Sequence, residues 1–430
     1  VKRLFLVSAI LLSIQFSPLA ADSTLSLDQA VALAVKNNLD LAQAQKDLEI
    51  ARADLRAAYA DMLIPTAAIN GAFSYMDPAQ SAAYPFHDNY SVGLQITRTL
   101  FAGGRYWFGR EARQLAADFA EYKLKDKTKE VVRTTSLDFY NLLLLKEKLA
   151  LALANDKSLK DHLESTRINY ENGIASQLDY LRDQVRYKNN QPLVSEARDA
   201  YDIGRINFAN SIGIPAAPLF EPLGDLRDAV KVAPVSTDEA VLLKSAMEND
   251  LSVRTAEYTI ASNQAAAAVA ASARSPVINS SFNYGYTYRV DFPATTRTFD
   301  SSWTFTLSCV IPLDAWIPYV SKVSNQLTGA DELVAKNRLA REQAVQALET
   351  RIKSLLLSLV SAEQNVESQS DNVTQAKLVL DMAAKQYREG SISSLDLSDA
   401  ELSYNQAVTN YLQALYDRYS TILQLNDIMQ

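Results

Sequence analysis

Tyr170-Glu171-Asn172-Gly173-Ile174-Ala175-Ser176-Gln177-Leu178-Asp179 returns further along the chain as Tyr387-Arg388-Glu389-Gly390-Ser391-Ile392-Ser393-Ser394-Leu395-Asp396. Tyr, Gly, Ser, Leu and Asp keep one register in both copies, 217 positions apart in a chain of 430 residues. A repeat of half the chain predicts one object built from two equivalent halves rather than two unrelated domains. Other landmarks pair at nearly the same offset. Leu25-Ser26-Leu27-Asp28-Gln29-Ala30 matches Val235-Ser236-Thr237-Asp238-Glu239-Ala240, and Pro65 matches Pro276, each opening an aromatic stretch.

Working outward from the repeated turn, each copy follows a very long proline-free segment, Gly104 to about Tyr170 and Val320 to about Tyr387. At about 1.5 Å per residue each would be a helix of roughly 100 Å. Gly173 and Gly390 are placed to end these helices in the left-handed conformation. Ser176 with Asp179, and Ser393 with Asp396, read as N-caps of a shorter helix in each half, Ser176 to about Ile212 and Ser393 to about Met429. Pro192 predicts a kink or local break in the first of these. Upstream, Leu27, Val31, Ala34, Leu41, Leu48 and Leu55 keep one stripe and predict a helix from Ser26 to Leu63.

Between these helices the hydrophobic period changes from helical to two. Tyr90, Val92, Leu94 and Ile96 alternate with Ser91, Gly93, Gln95 and Thr97. Phe282, Tyr284, Tyr286 and Tyr288 alternate with small or polar residues, as do Trp303, Phe305, Leu307, Cys309 and Ile311. Ala67, Ile69, Phe73 and Tyr75 mark a weaker strand. The halves therefore read as residues 22–212 with a β-hairpin over 66–101, and 237–430 with a hairpin over 277–312. A proline-rich connector, 213–236, lies between them. The hairpin loops are Asp77–Asp88 and Asp291–Asp300.

The N-terminus has the layout of an export signal over residues 1–21. Lys2-Arg3 precedes an apolar core from Leu4 to Phe16 and the small residues Ser17 to Ala21. Its removal takes the formal charge from −8 to −10. That balance, with no Lys/Arg-rich run, argues against a nucleic-acid partner. One cysteine and two histidines, far apart, argue against a disulfide framework and a metal centre, so no cofactor is expected. His87, in a hairpin loop, and His162, on a polar helical stretch, read as surface residues. No nucleophile motif, phosphate loop or acid–base pair stands out, and an enzyme is not expected.

The strands bear most on the class. Two equivalent amphipathic hairpins of bilayer-crossing length follow an export signal, and lipid admits strands only in closed barrels. Four strands cannot close, since the usual minimum is eight, so copies of the chain must contribute together. The other class left open is a periplasmic coiled-coil adaptor or scaffold without a pore, its strands forming a small soluble domain.

Over essentially the whole mature chain these features resemble the TolC family of outer-membrane efflux proteins. The resemblance rests on the two-fold repeat, the order of elements, Leu100-Phe101-Ala102-Gly103-Gly104-Arg105 after the second strand, and the paired Tyr-x-x-Gly-x-x-Ser-x-x-Asp turns. It implies a homotrimer with a twelve-stranded β-barrel in the outer membrane, continuous with a long α-helical barrel in the periplasm. It further implies an exit duct of a tripartite efflux or type I secretion system, partnered by a periplasmic adaptor and an inner-membrane pump. In the family the second turn forms the narrow periplasmic end. Matched residue by residue, the resemblance assigns Asp396 and Asp399 to cation-favouring rings and Tyr387 to holding the end shut. The family's turn arginine has Ile392 in its place, and Ile311-Pro312-Leu313-Asp314-Ala315-Trp316 stands where a glycine pair is expected. The bland reading of Asp179 and Asp396 is that both are helix caps. It does not extend to Asp399, which shares a helical face with Asp396 and has Arg182 as its first-half counterpart.

Overall fold

The computed structural model describes residues 24–75, 86–214, 220–234, 236–291, 297–317 and 320–429. The export segment expected over 1–21, most of the first hairpin loop and the middle of the second lie outside the described residues, as do Pro215 and Pro218.

Strand β1 (Thr24–Leu25) leads into helices α1 (Leu27–Asn37) and α2 (Leu39–Leu63), then strands β2 (Thr66–Tyr75) and β3 (Phe86–Ala102). Helix α3 (Arg105–Glu171), helix α4 (Gln177–Ser211) and strand β4 (Glu221–Pro222) follow. The second half repeats the order: α5 (Glu239–Asn249), α6 (Leu251–Ala271), β5 (Val277–Asp291), β6 (Arg297–Val310), α7 (Lys322–Arg388) and α8 (Ser394–Met429). Both long helices have 67 residues.

The helix expected over Ser26–Leu63 is two helices. Asn38 is extended (φ −65°, ψ 125°) and its N–H bonds the carbonyl of Ala34 at 2.8 Å, closing α1. Asp40 then sits in the first turn of α2, 3.4 Å from the Lys127 ammonium. An acidic group there complements the positive helix end. The second half breaks at the matching place. Asp250 accepts from the N–H groups of Ser252 and Val253, at 2.8 and 3.3 Å, and caps α6. The duplicated signal is an Asn/Asp pair inside an otherwise continuous apolar stripe; such side chains compete for backbone hydrogen bonds.

Of the kink or local break expected at Pro192, the break does not occur: α4 runs through it. The neighbouring side chains hold the helix to α3. Asn190 accepts from Asn155 at 2.9 Å, and Asn190 and Gln191 donate to Asp156 at 3.0 and 2.6 Å. His87 belongs to β3 rather than to a loop, because that strand starts at Phe86.

The chain divides into two compact units. The first comprises the described residues within 24–39, 128–237 and 354–427. Its core packs Phe139, Leu142, Leu143 and Leu144 of α3 against Phe208 and Ile212, Leu412 and Tyr419. The segment between the halves adds to this core. β4 pairs in parallel with β1, a 3-10 turn spans Leu226–Lys231, and Phe220 and Leu226 are buried.

The second unit comprises residues 40–127, 238–353 and 428–430 and contains a four-stranded antiparallel sheet, ordered β2-β3-β5-β6. Its register decides what the sheet can do. Ile69, Leu94, Tyr284 and Trp303 lie in one cross-strand row, Ala67, Ile96, Phe282 and Phe305 in the next of that face. The opposite face has rows of Thr66, Thr97, Ser281 and Thr306, and of Ala68, Gln95, Asn283 and Thr304. Alternation in each strand thus adds up to one apolar and one polar face. The apolar face is open, with Trp303 68% and Phe305 60% exposed. β2 and β6 each lack a neighbour on one side among the described strands.

At the strand-to-helix corners the halves differ. The first turns on Gly103 and Gly104, both at positive φ (59° and 86°). The second turns through a 3-10 helix, Leu313–Trp316, with the Trp316 indole donating to the Arg274 carbonyl at 3.0 Å.

Candidate functional site

The repeated turns lie in the first unit, where α3 passes into α4 and α7 into α8. Gly173 (φ 71°) and Gly390 (φ 73°) stand in the left-handed region, which costs a side-chain-bearing residue about 1–2 kcal/mol. The Gly173 N–H bonds the Tyr170 carbonyl at 3.0 Å and the Ile174 N–H reaches Asn169 at 2.8 Å. In the second copy Gly390 bonds Tyr387 at 3.0 Å and Ser391 bonds Gln386 at 2.9 Å. These bonds use up carbonyls that a helix end leaves free and reverse the chain within a few residues.

The next helices start on serine. Ser176 accepts from the Asp179 N–H at 3.1 Å and donates to its carboxylate at 2.6 Å. Ser393 does the same with Asp396, at 3.3 and 2.7 Å, and its own N–H also donates to that carboxylate at 3.0 Å. The Ser393 hydroxyl and N–H together hold the Asp396 carboxyl below the usual aspartate range.

One turn further on, the copies diverge. Arg182 lies 3.8 Å from Asp179, so the first turn balances its own charge. Asp399, opposite Arg182 in the repeat, is exposed; its main-chain carbonyl accepts from the Ser403 hydroxyl at 2.8 Å, and its carboxylate has no hydrogen-bond or ion-pair partner among the described residues. The second turn therefore carries two carboxylates on one helical face and no matching arginine.

The two tyrosines diverge as well. Tyr170 is exposed and stacks on Tyr180 at 5.6 Å. Tyr387 is half-buried and packs with Leu380, Ala384 and Ile392 on a small cluster of Ala383, Leu397 and Ala400. Burial pushes its phenol up. Ile392, in the place of the family's turn arginine, belongs to this apolar contact.

His162 is not a surface residue. Its side chain is 22% exposed, its Nε2 lies 3.1 Å from the Glu401 carboxylate, and its ring meets Tyr387 edge-on at 5.9 Å. Ser158 donates to the same Glu401 oxygen at 2.7 Å, and Thr166 donates to buried Asp183 at 2.7 Å. Higher up, Lys148 donates to Gln413 at 3.1 Å and Asn405 to Asn155 at 2.9 Å. Lys148, Asn155 and His162 recur every seven residues, the spacing at which a coiled coil keeps one seam, and polar residues there fix register. That heptad stripe was the available signal, hidden because 3.6-residue counting places the three on a drifting face.

No cluster of three potential metal ligands occurs among the described residues. Cys309 is exposed, on the apolar face of β6.

The pattern of the family described as outer membrane efflux protein matches residues 30–214 and 242–429. Among solved structures, CusC, studied for folding and transmembrane channel formation, is 18% identical with a TM-score of 0.78, over 94% of this chain and 91% of CusC. The CmeC outer membrane channel of Campylobacter jejuni is 16% identical (TM-score 0.73, 94% and 85% covered). The MtrE outer membrane channel of Neisseria gonorrhoeae, in its open state, is 20% identical (TM-score 0.74, 94% and 88% covered). No curated protein matches the chain.

Proposed function

The chain belongs to the outer membrane efflux protein family, and from that premise we propose that it is the exit duct of a tripartite efflux or type I secretion system. It is an outer-membrane protein whose helical part extends into the periplasm. Three copies contribute four strands each to a twelve-stranded barrel, within the range of known outer-membrane barrels. The observation that carries this reading is the sheet register. The apolar rows form a surface that only lipid or another apolar partner can cover, and the Ser, Thr, Asn and Gln rows form a face suited to a wet lumen. The free sides of β2 and β6 supply edges that pairing with neighbouring copies would remove.

Substrate passes down the duct without work done by this chain. The sequence holds no phosphate loop, so the energy comes from an inner-membrane pump reached through a periplasmic adaptor. Asp396 and Asp399, repeated about the trimer axis, form an anionic constriction, and Tyr387 with its apolar neighbours keeps the second turn in place. Asp179 acts as a cap, and Gly173, Ser176, Gly390 and Ser393 shape the turns.

Fractionation tests the assembly. The protein is expected to require detergent for extraction from outer membranes and to travel as a particle of three chains by light scattering corrected for bound detergent. A soluble periplasmic monomer would contradict the reading and favour a pore-free scaffold.

A further inference from the structure

The first unit is held together in two different ways. Beside β1, β4 and the segment between the halves, α3, α4 and α8 share a large apolar core. Towards the turns that core gives way to the small cluster of Ala383, Leu397 and Ala400, and polar side chains make the links between helices. Apolar packing resists small displacements over a broad area, whereas a polar link depends on the protonation state of a few atoms.

His162 and Glu401 tie α3 of one hairpin to α8 of the other. Both are largely buried, with side-chain exposures of 22% and 15%. Glu401 uses one carboxylate oxygen for His162 and Ser158, and its second oxygen, buried, has no partner among the described residues. Such a carboxylate needs a charged donor more than an exposed one does. The titratable or charged groups facing His162 are Glu401 from α8, Asp183 from α4, Tyr387 from α7 and Asp161 on its own helix. Three are acidic and none is basic, so the surroundings favour the imidazolium.

We propose that His162 and Glu401 form a proton-dependent clasp that holds the α7–α8 turn to the α3–α4 hairpin, tight in mildly acidic solution and loosened above neutral pH. Its effect on conduction rests on the reading of these turns as the mouth of a duct; the clasp itself does not.

The sign follows from the two partners. The hydrogen bond to Glu401, against the opposing effect of burial, holds His162 above its ordinary value of 6.5. Its contribution is complete below 6.5 and disappears as pH rises through the raised folded value. Burial raises the Glu401 carboxyl, but the His162 and Ser158 hydrogen bonds outweigh it and leave the group below its ordinary 4.5. That share is present above 4.5 and is lost only in stronger acid. The clasp is therefore complete between these values and opens on the alkaline side.

Amide hydrogen exchange over residues 386–400, in the detergent-solubilised full-length protein and corrected for intrinsic rates, reads the clasp directly. Between about pH 6 and pH 8.5 the wild type is expected to lose protection by roughly threefold or more, the scale of a partly screened ion pair. His162→Gln and Glu401→Gln should abolish the difference, leaving the turn loosened at both values. His87→Gln, at the only other histidine, should retain it. Bilayer conductance should rise over the same interval in wild type and be high at both values in His162→Gln. Exchange independent of pH in the wild type, or a pH response surviving in His162→Gln, would overturn the clasp. A protein that shows the exchange response but conducts nothing would support the clasp and fault the duct.

Discussion

Asp399→Asn is expected to remove most of the cation preference of the reconstituted protein and weaken block by divalent cations. The argument is electrostatic. At roughly 6 Å in a water-like medium a unit charge is worth about 0.7 kcal/mol, so three around an axis give roughly 2 kcal/mol, or about thirtyfold in local cation concentration before salt screening. A carboxylate ring selects cations in this way. Asp399 is the cleaner of the two acidic positions to change, because its carboxylate takes no part in the turn. Asp396 is bound by the Ser393 hydroxyl and N–H, so Asp396→Asn would disturb the cap as well as the charge. The first turn contributes little net charge, since Arg182 stands against Asp179. Reversal potentials under a salt gradient measure the ratio directly. Unchanged selectivity and unchanged divalent block in Asp399→Asn would remove this residue from the constriction.

Phe208→Ala is expected to cost about 3–5 kcal/mol, the usual range for emptying a buried aromatic site. Phe208 is 2% exposed and joins three parts of the first unit. Its ring lies 5.9 Å from Phe139 on α3 and 5.8 Å from Phe220, just ahead of β4. Those neighbours are held by helices and by the β1–β4 pair, so the site cannot readily collapse around the missing ring. The melting temperature of the detergent-solubilised protein should fall by roughly 3–6 °C, at about 2.1 cal/mol/K of unfolding entropy per residue over 430 residues. The matched surface change, Lys46→Ala, removes only an exposed ion pair with Glu49 and should shift it little. A Phe208→Ala protein that melts with the wild type would show that this core does not limit stability.

Much of the fold was legible in the sequence because its signals are local and repeated. The two-residue alternations at Tyr90–Thr97 and Ser302–Ile311 name strands by themselves, and proline-free runs closed by Gly173 and Gly390 delimit the long helices. What could not be read depends on partners distant in sequence. Pro192 looked like an interruption because nothing nearby shows that Asn190 and Gln191 are anchored by Asn155 and Asp156 on another helix. The stripe from Leu27 to Leu55 passes Asn38 unbroken between Ala34 and Leu41, yet Asn38 marks a helix end. His162 looked solvated because its partner, Glu401, is 239 residues away. Leu226 looked like part of a linker, yet it is fully buried.

The turns show the same division. Their shape follows from Gly, Ser and Asp at fixed spacing. Their difference in charge, Arg182 against Asp399, was visible as a mismatch between copies. The inward packing of Tyr387 and the outward stacking of Tyr170 were not, since identical residues in identical motifs meet different neighbours.

Insertion of the purified protein into a planar lipid bilayer tests the central claim most directly. The account predicts discrete, long-lived conductance steps carried mainly by cations, from a species that needs detergent in solution. A protein that stays soluble without detergent and gives no steps at any concentration would contradict it.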